Sequence, residues 1–350
     1  MKVELKNISK NWGSFALKNI NLSIDNGDYL VLLGPTGAGK TLLLETIMGF
    51  YTPDEGRIFI DERDVTDVPP EKREIGYVPQ NSLLFPHMTV SQNIAFGLKM
   101  QNKDKSLRDN TVNELLDFMG LRQFAHHFPV KLSGGEKQKV ALARALATNS
   151  KIVLLDEPLA SVDAETARQL RDELKRIRQE HCKTVIHVTH SLIEGFGLAN
   201  KIALMKAGEI VQVGETKELL AKPKNEFAAR LLGYENVFKA KLLQKRSDFS
   251  VIEVENLQLK ISGSLDSVGL IAVRPEDITI ELSCPDGSYS NVLEGSIVDY
   301  TDLGPIVMVS IKAGLPLKVV IAKNYFIEKG LENGKMVWLK FNSSTIKKIE

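Results

Sequence analysis

Two short stretches carry residue types that could do chemistry on phosphate. The first, G34-P-T-G-A-G-K-T41, follows an apolar run from Tyr29 to Leu33 and precedes a helix-like run from Leu42 to Met48. Strand, glycine loop and helix together form the context in which a phosphate-binding loop works. Gly34, Pro35, Thr36, Gly37, Ala38 and Gly39 make the loop, whose glycines let backbone N–H groups turn toward one anion. The helix N-terminus adds partial positive charge behind them. Lys40 is placed to reach the β- and γ-phosphates, and the Thr41 hydroxyl to sit on Mg²⁺. The second stretch is L132-S-G-G-E136. Ser133 and Glu136 have capping-box spacing, so a helix starts there. Gly134 and Gly135 leave its N-terminus bare, which suits a second anion contact, although a capped helix without a ligand has the same pattern.

Four further positions fit the same chemistry. I152-V-L-L-D156 is an apolar strand that ends in an acid, and Asp156 there is suited to hold Mg²⁺. Glu157 follows directly and is placed for general-base work on water. Gln80 ends a short strand, Ile75 to Val78, from which it could reach Mg²⁺ or the attacking water. His190 ends the β-branched strand from Thr184, one strand–helix unit after Asp156, where it could contact a γ-phosphate. Trp12, upstream of the loop, either stacks on an adenine ring or packs against the sheet. Asp163 can cap a helix whose face is Leu170, Leu174 and Ile177.

The elements that position these groups alternate in type. Val3–Ile8, Leu17–Ile24 and Arg57–Ile60 have strand periodicity, and Val90–Phe128 has helical spacing. The loop S82-L-L-F-P-H-M88 carries apolar side chains, explained by a partner-facing patch or by local packing. I202–M205 and A207–G214 form a hairpin that turns at Ala207-Gly208, and helices follow at 218–220 and 225–232. The expected division is an α/β phosphate-loop domain over 1–232 with a helical subdomain at about 85–150, a linker at 233–236, and a β domain over 237–350. In the last region Ile252/Val254, Leu257/Leu259/Ile261, Val307/Val309/Ile311 and Leu315/Leu317/Val319/Ile321 alternate as hairpins, which suggests two small OB-like lobes.

Composition narrows the classes. The chain has 350 residues, enough for two or three domains. Net charge is +1, so no global field points to nucleic acid. No apolar run approaches a membrane span, and the start lacks the apolar core of a signal peptide. Cys182 and Cys284 match no metal spacing, as expected in a reduced cytoplasmic setting. His87, His126 and His127 form no metal set.

From Trp12 to His190 the motifs resemble the nucleotide-binding subunit of an ABC transporter, in order and spacing. Trp12 resembles the A-loop aromatic, Gly34–Thr41 the Walker A loop, Gln80 the Q-loop and Leu132–Glu136 the signature. Asp156 and Glu157 resemble the Walker B pair, Asp163 the D-loop and His190 the switch histidine. The resemblance implies an α/β fold: a P-loop ATPase domain with a RecA-like core and a helical subdomain. It implies ATP and Mg²⁺ as cofactors and a head-to-tail homodimer. Each ATP would lie between one chain's Walker A loop and the other's signature. It also implies two transmembrane permease subunits, an extracytoplasmic substrate-binding protein, and a place at the cytoplasmic face of the membrane.

The C-terminal part resembles the all-β, OB-like regulatory (TOBE/Mop-like) domain of oxyanion, sugar and polyamine importer ATPases. R274-P-E-D-I278 carries that likeness, and N291-V-L-E-G-S-I297, Gly304 and A313-G-L-P-L-K-V-V-I321 resemble the molybdate/tungstate type most. The resemblance implies an ATPase that energises import of molybdate or tungstate, with an oxyanion bound at this domain. Sulfate, sugar or polyamine import is the alternative, and a non-transport ABC ATPase a further one. Two departures stand out. K323-N-Y325 replaces a serine-containing loop, and Gly195 and Gly197 weaken the helix after His190.

Overall fold

The computed structural model describes residues 1–160, 162–181, 183–285 and 289–349, the side chains of residues 179–181 excepted. Cys182 lies outside the described residues. The chain divides into two compact units, Met1–Thr216 and Lys217–Glu350.

The first unit opens with β1 (Val3–Asn11) and β2 (Ala16–Ile24), an antiparallel pair. β3 (Tyr29–Leu33) leads into the glycine loop and α1 (Lys40–Met48). β4 (Glu55–Ile60) and β5 (Arg63–Asp64) complete an antiparallel sheet in the order β2-β1-β4-β5. After β6 (Ile75–Val78) come three helices, α2 (Val90–Met100), α3 (Lys105–Phe118) and α4 (Gly134–Ala147). The unit continues through β7 (Ile152–Asp156), α5 (Ala164–His181), β8 (Thr184–Thr189), α6 (Leu192–Leu198), β9 (Lys201–Lys206) and β10 (Glu209–Glu215).

The second sheet has the order β10-β9-β3-β8-β7-β6. Five of its strands are parallel, and β10 returns antiparallel to β9. The return is the expected Ala207-Gly208 turn, with φ of 47° and 84°. Two positive φ values in a two-residue turn match the right-handed twist of the strands. β3, β7 and β8 are buried along their whole length, because parallel strands are covered on both faces. A single apolar cluster joins Leu5 and Ile20 of the antiparallel sheet to Leu30 and Leu32 of β3 and to Leu43 and Ile47 of α1. Burial of that face ties the glycine loop to the sheet.

The second unit contains α7 (Thr216–Ala221), which begins at the boundary, α8 (Glu226–Leu231) and α9 (Lys323–Glu328). Its strands are β11 (Asn236–Lys239), β12 (Lys241–Lys245), β13 (Phe249–Val254), β14 (Leu257–Ser262), β15 (Leu270–Val273) and β16 (Thr279–Glu281). They continue with β17 (Asn291–Asp302), β18 (Ile306–Lys312), β19 (Pro316–Ala322), β20 (Met336–Phe341) and β21 (Lys347–Ile349). The sheets run β11-β15-β21, β12-β13-β14 and β16-β20-β17-β18-β19.

Three expectations are corrected here. The compact units divide after residue 216 rather than 232, so α8 and nearly all of α7 belong with the second unit. Tyr234 is buried, its hydroxyl donates to the Leu220 carbonyl at 2.6 Å, and the Arg274 guanidinium lies 4.7 Å from its ring. The expected linker at 233–236 therefore belongs to the unit, and Asn236 exchanges two hydrogen bonds with the Lys318 backbone. The two expected lobes share one core, which runs from Ile252 and Leu259 through Ile271 to Val309, Val337 and Ile346. Distant pairings such as β15 with β21 knit the halves together. The K323-N-Y325 stretch starts α9, and Lys323 pairs with Asp302 at 2.7 Å.

Candidate functional site

The glycine loop closes on itself before α1 begins. Gly37 and Gly39 have φ of 80° and 98°, values that suit glycine alone in a loop this tight. Gly34 has no room for a side chain, since a Cβ there would lie 2.3 Å from the Met205 carbonyl oxygen. Lys40 starts α1 and is buried, and its ammonium donates to the carbonyls of Gly34 at 2.8 Å and Pro35 at 3.0 Å. Burial pushes the Lys40 ammonium below its usual range, while the carboxylates of Glu157 and Asp156 pull it back.

The ends of β7 and β8 bring the acidic groups to this loop. The Thr41 hydroxyl donates to Asp156 Oδ1 at 3.0 Å. Asp156 is buried, and burial raises its carboxyl above the ordinary range. Thr41 and Lys40 oppose the rise and Glu157 adds to it. Glu157 sits in the left-handed region at φ 43°, pinned by its N–H to the Val188 carbonyl at 2.9 Å. β7 ends just before it, and the left-handed residue follows with its side chain in the cleft lining. Glu157 Oε1 then meets His190 Nδ1 at 3.3 Å.

A cleft of about 540 Å³ opens at these groups. Thr36 to Thr41, Gln80, Glu157 and His190 line it, so residues from four separate strand ends converge there. Gly34 and Pro35 form the loop but do not line the cleft. Thr41, Asp156 and Gln80 offer oxygen donors only, the set that suits a hard divalent cation. The arrangement can hold a polyphosphate at one wall and deprotonate a water at the other.

Trp12 takes a different place. Its ring packs edge-on to Tyr51, with centroids 5.2 Å apart, and it is absent from the cleft lining. The aromatic that lines the cleft is Phe15, whose ring occupies the space a Cβ on Gly39 would need, at 2.5 Å. A turn through Asn11–Phe15, closed by the Trp12 N–H to the Phe15 carbonyl at 2.8 Å, presents both rings. Sequence reasoning missed Phe15 because a loop aromatic has no periodicity to reveal its direction. It also missed Glu45, whose carboxyl is raised by burial and by Asp156, and Arg73. Arg73 is buried and donates to the carbonyls of Thr46, Ile47, Thr66 and Val68, which caps the C-terminal end of α1.

The signature stretch lies outside the cleft. Ser133 caps α4 by accepting from the Glu136 N–H, and Glu136 Oε2 accepts from the Ser133 N–H at 2.7 Å. Ser133 and Gly134 are exposed. Gly135 is buried, with Thr166 Cγ2 2.3 Å from where a Cβ would stand. Asp163 caps α5, accepting from the N–H of Glu165 and Thr166 and from the Thr166 hydroxyl. One chain thus presents an exposed, Ser133-capped helix N-terminus and the glycine-loop cleft at separate places.

A fold with these two half-sites is the ATP-binding cassette, and comparisons with known proteins agree. The ABC transporter family model matches residues 17–160. The molybdate/tungstate import ATP-binding protein of Pyrococcus abyssi is 39% identical over 346 residues, covering 99% of both chains. The spermidine/putrescine import ATP-binding protein of Nitrosomonas europaea is 35% identical over 330 residues, covering 92% of this chain and 91% of that one. A dimeric ATP-binding cassette solved in a post-hydrolysis state with ADP and Pi aligns at TM-score 0.56 and 33% identity. That alignment covers 61% of this chain and 98% of the cassette. The chain belongs to the ATP-binding subunits of ABC importers. It is an ATPase.

Proposed function

We propose that this chain energises the import of molybdate or tungstate through a separate transmembrane permease. The single observation that carries the mechanism is the split site. Lys40, Glu157 and His190 meet in one cleft, while Ser133 and Gly134 stand exposed elsewhere at the start of α4. Two chains packed head to tail bring each signature over the partner's cleft. Similarity to the P. abyssi importer subunit over the full chain supports the cargo.

In this reading Lys40 and the N–H groups of Thr36–Thr41, in the loop that Gly34 and Pro35 begin, bind the β- and γ-phosphates. The adenine ring is received at the Trp12–Phe15 turn. Thr41, Asp156 and Gln80 would hold Mg²⁺, which offsets phosphate charge when bound. Glu157 takes the proton of the attacking water, and His190, in contact with Glu157 Oε1, faces the γ-phosphate. Ser133 and the Gly134 and Gly135 N–H groups of the second chain touch the same phosphate, with Glu136 holding Ser133 in place. Asp163 supports this junction by fixing the start of α5. Hydrolysis removes the phosphate that bridges the chains, and the dimer opens.

The partners are then two permease subunits, a second copy of this chain and, indirectly, an extracytoplasmic binding protein. Nucleic acid is not among them. The subunit sits peripherally at the cytoplasmic face, and no described helix is long and apolar enough to cross a membrane. An oxyanion at the second unit regulates transport. Lys323 is a poor anchor for it, because Asp302 already neutralises its charge. Polyamine import is the second reading, favoured by the N. europaea relative.

Mixing two inactive variants tests the split site. K40A and S133R each disable both sites of a homodimer. A mixed dimer regains one intact site, so random mixing restores roughly a quarter of wild-type ATP hydrolysis. No recovery on mixing would show that each chain completes its own site.

A further inference from the structure

The segment just after Gln80 is held by the helix that begins with the signature. Ser82 and Leu83 both lie in the left-handed region, at φ 58° and 41°. Two successive residues with side chains keep such a backbone only where surrounding contacts enforce it. The enforcing contacts come from α4. Arg144 Nη2 donates to the Ser82 carbonyl at 3.0 Å and Nη1 to the Leu83 carbonyl at 2.9 Å. The same guanidinium lies 5.3 Å from the Phe85 ring. The Ser82 hydroxyl, itself buried, donates to Gln138 Oε1 at 2.5 Å. Gln138 is buried, and its Nε2 makes no hydrogen bond to any described residue. A polar side chain kept at that cost has a role in fixing geometry.

We propose that Arg144 and Gln138 are positioning residues that couple Gln80 to the signature helix. α4 runs from Ser133, at its N-cap, to its last turn at Arg144. Eleven residues of rise separate them, about 16 Å along a stiff rod. The exposed Ser133 end is where the second chain's phosphate is met, and the Arg144 end grips the carbonyls two and three residues beyond Gln80. A shift of α4 on meeting that phosphate moves Ser82 and Leu83 directly. Gln80, which lines the cleft, moves with them. Planar guanidinium donation to two carbonyls suits this task, because one rigid group sets both peptide planes at once. A lysine offers a single point charge there.

This inference rests on the assignment of Gln80 to the reaction, so the test separates the two. Steady-state ATP hydrolysis is measured for the full chain as wild type, R144K, Q80A and the Q80A/R144K pair. R144K is expected to lower kcat about tenfold with KM for ATP within twofold, since the phosphate loop is untouched. The double variant is expected to match Q80A alone, because the arginine acts through the glutamine. Q138M removes the Ser82 contact and the unpartnered nitrogen together in an isosteric helix former. It leaves the buried Ser82 hydroxyl without that partner, so it should melt lower than wild type, and at temperatures where it is folded it should lower kcat about threefold with KM unchanged. Losses that multiply in the double variant, or R144K and Q138M at wild-type kcat, overturn the coupling. Q80A at wild-type rate overturns the Gln80 assignment and the coupling with it.

Discussion

Replacing Glu157 by Gln separates binding from chemistry in a way the structure makes quantitative. Residue 157 has φ 43°. Glu and Gln meet the same backbone cost there, so that strain cancels between the two chains. The lengths are equal, and an amide oxygen can keep the 3.3 Å approach to His190 Nδ1. The His190 side chain is 58% exposed, so losing the charge of this pair costs under about 1 kcal/mol. For a unit of this size that is a fall of less than about 4 °C in Tm. The proton acceptor, in contrast, is gone. A positioned general base contributes roughly 10²–10⁴-fold, or about 3–5 kcal/mol of barrier. Phosphate release from MgATP should therefore fall at least a hundredfold, while ATP affinity, measured by equilibrium dialysis, stays within about threefold. ATP that is bound and not hydrolysed should also hold two chains together, giving a stable dimer by light scattering. Hydrolysis above about a tenth of the wild-type rate would refute the base assignment. Loss of ATP affinity would refute the separation of roles.

Other residues have equally definite expectations. S133A removes one half of the capping box and should cost about 1 kcal/mol of stability by chemical denaturation, with a further loss of kcat that KM does not share. G39A places a Cβ 2.5 Å from Phe15 on a backbone at φ 98°, and equilibrium dialysis should detect no ATP binding. W12A and F15A should each raise the KM for ATP at least about fivefold if their rings receive the base, and unchanged KM in both would remove the aromatic turn from the site. Asp156 supplies the pH test. Its folded carboxyl is raised by burial, so the nucleotide-free fold holds its proton more tightly than the unfolded chain does. Stability from this group falls as pH rises above the unfolded carboxylate value and through the folded one. Nucleotide-free D156N should thus melt higher than wild type at neutral pH, and the difference should vanish below about pH 3.5.

The parts of the site that were legible in the sequence are those set by local chemistry. Gly34–Thr41, the Ser133–Glu136 capping box, the acid at the end of an apolar strand and the Ala207-Gly208 turn depend on neighbours a few residues away. Their patterns therefore survive without knowledge of the fold. Arg73 and Arg144 were not legible, because each acts on backbone far from it in sequence, and Phe15 was not, because a loop aromatic has no periodicity to show where its ring points. Arg73, for example, caps a helix that ends 25 residues earlier, at Met48. The β unit fails for the same reason. Hairpins such as β13–β14 were visible in alternation, but the β15–β21 pairing that merges two lobes into one core leaves no local trace. Gly195 lies between the two cases. α6 runs through it from Leu192 to Leu198, and it is buried there with Val31 and Ile202 at van der Waals distance from where a Cβ would stand.

The most direct measurement is cargo accumulation in sealed vesicles that carry the permease, with this chain and MgATP at the cytoplasmic side. Elemental analysis reads tungstate and molybdate, and radiolabel reads sulfate and spermidine. The account predicts uptake of tungstate or molybdate that depends on ATP and stops with E157Q. Spermidine or sulfate accumulating while neither metal oxyanion moves would contradict it.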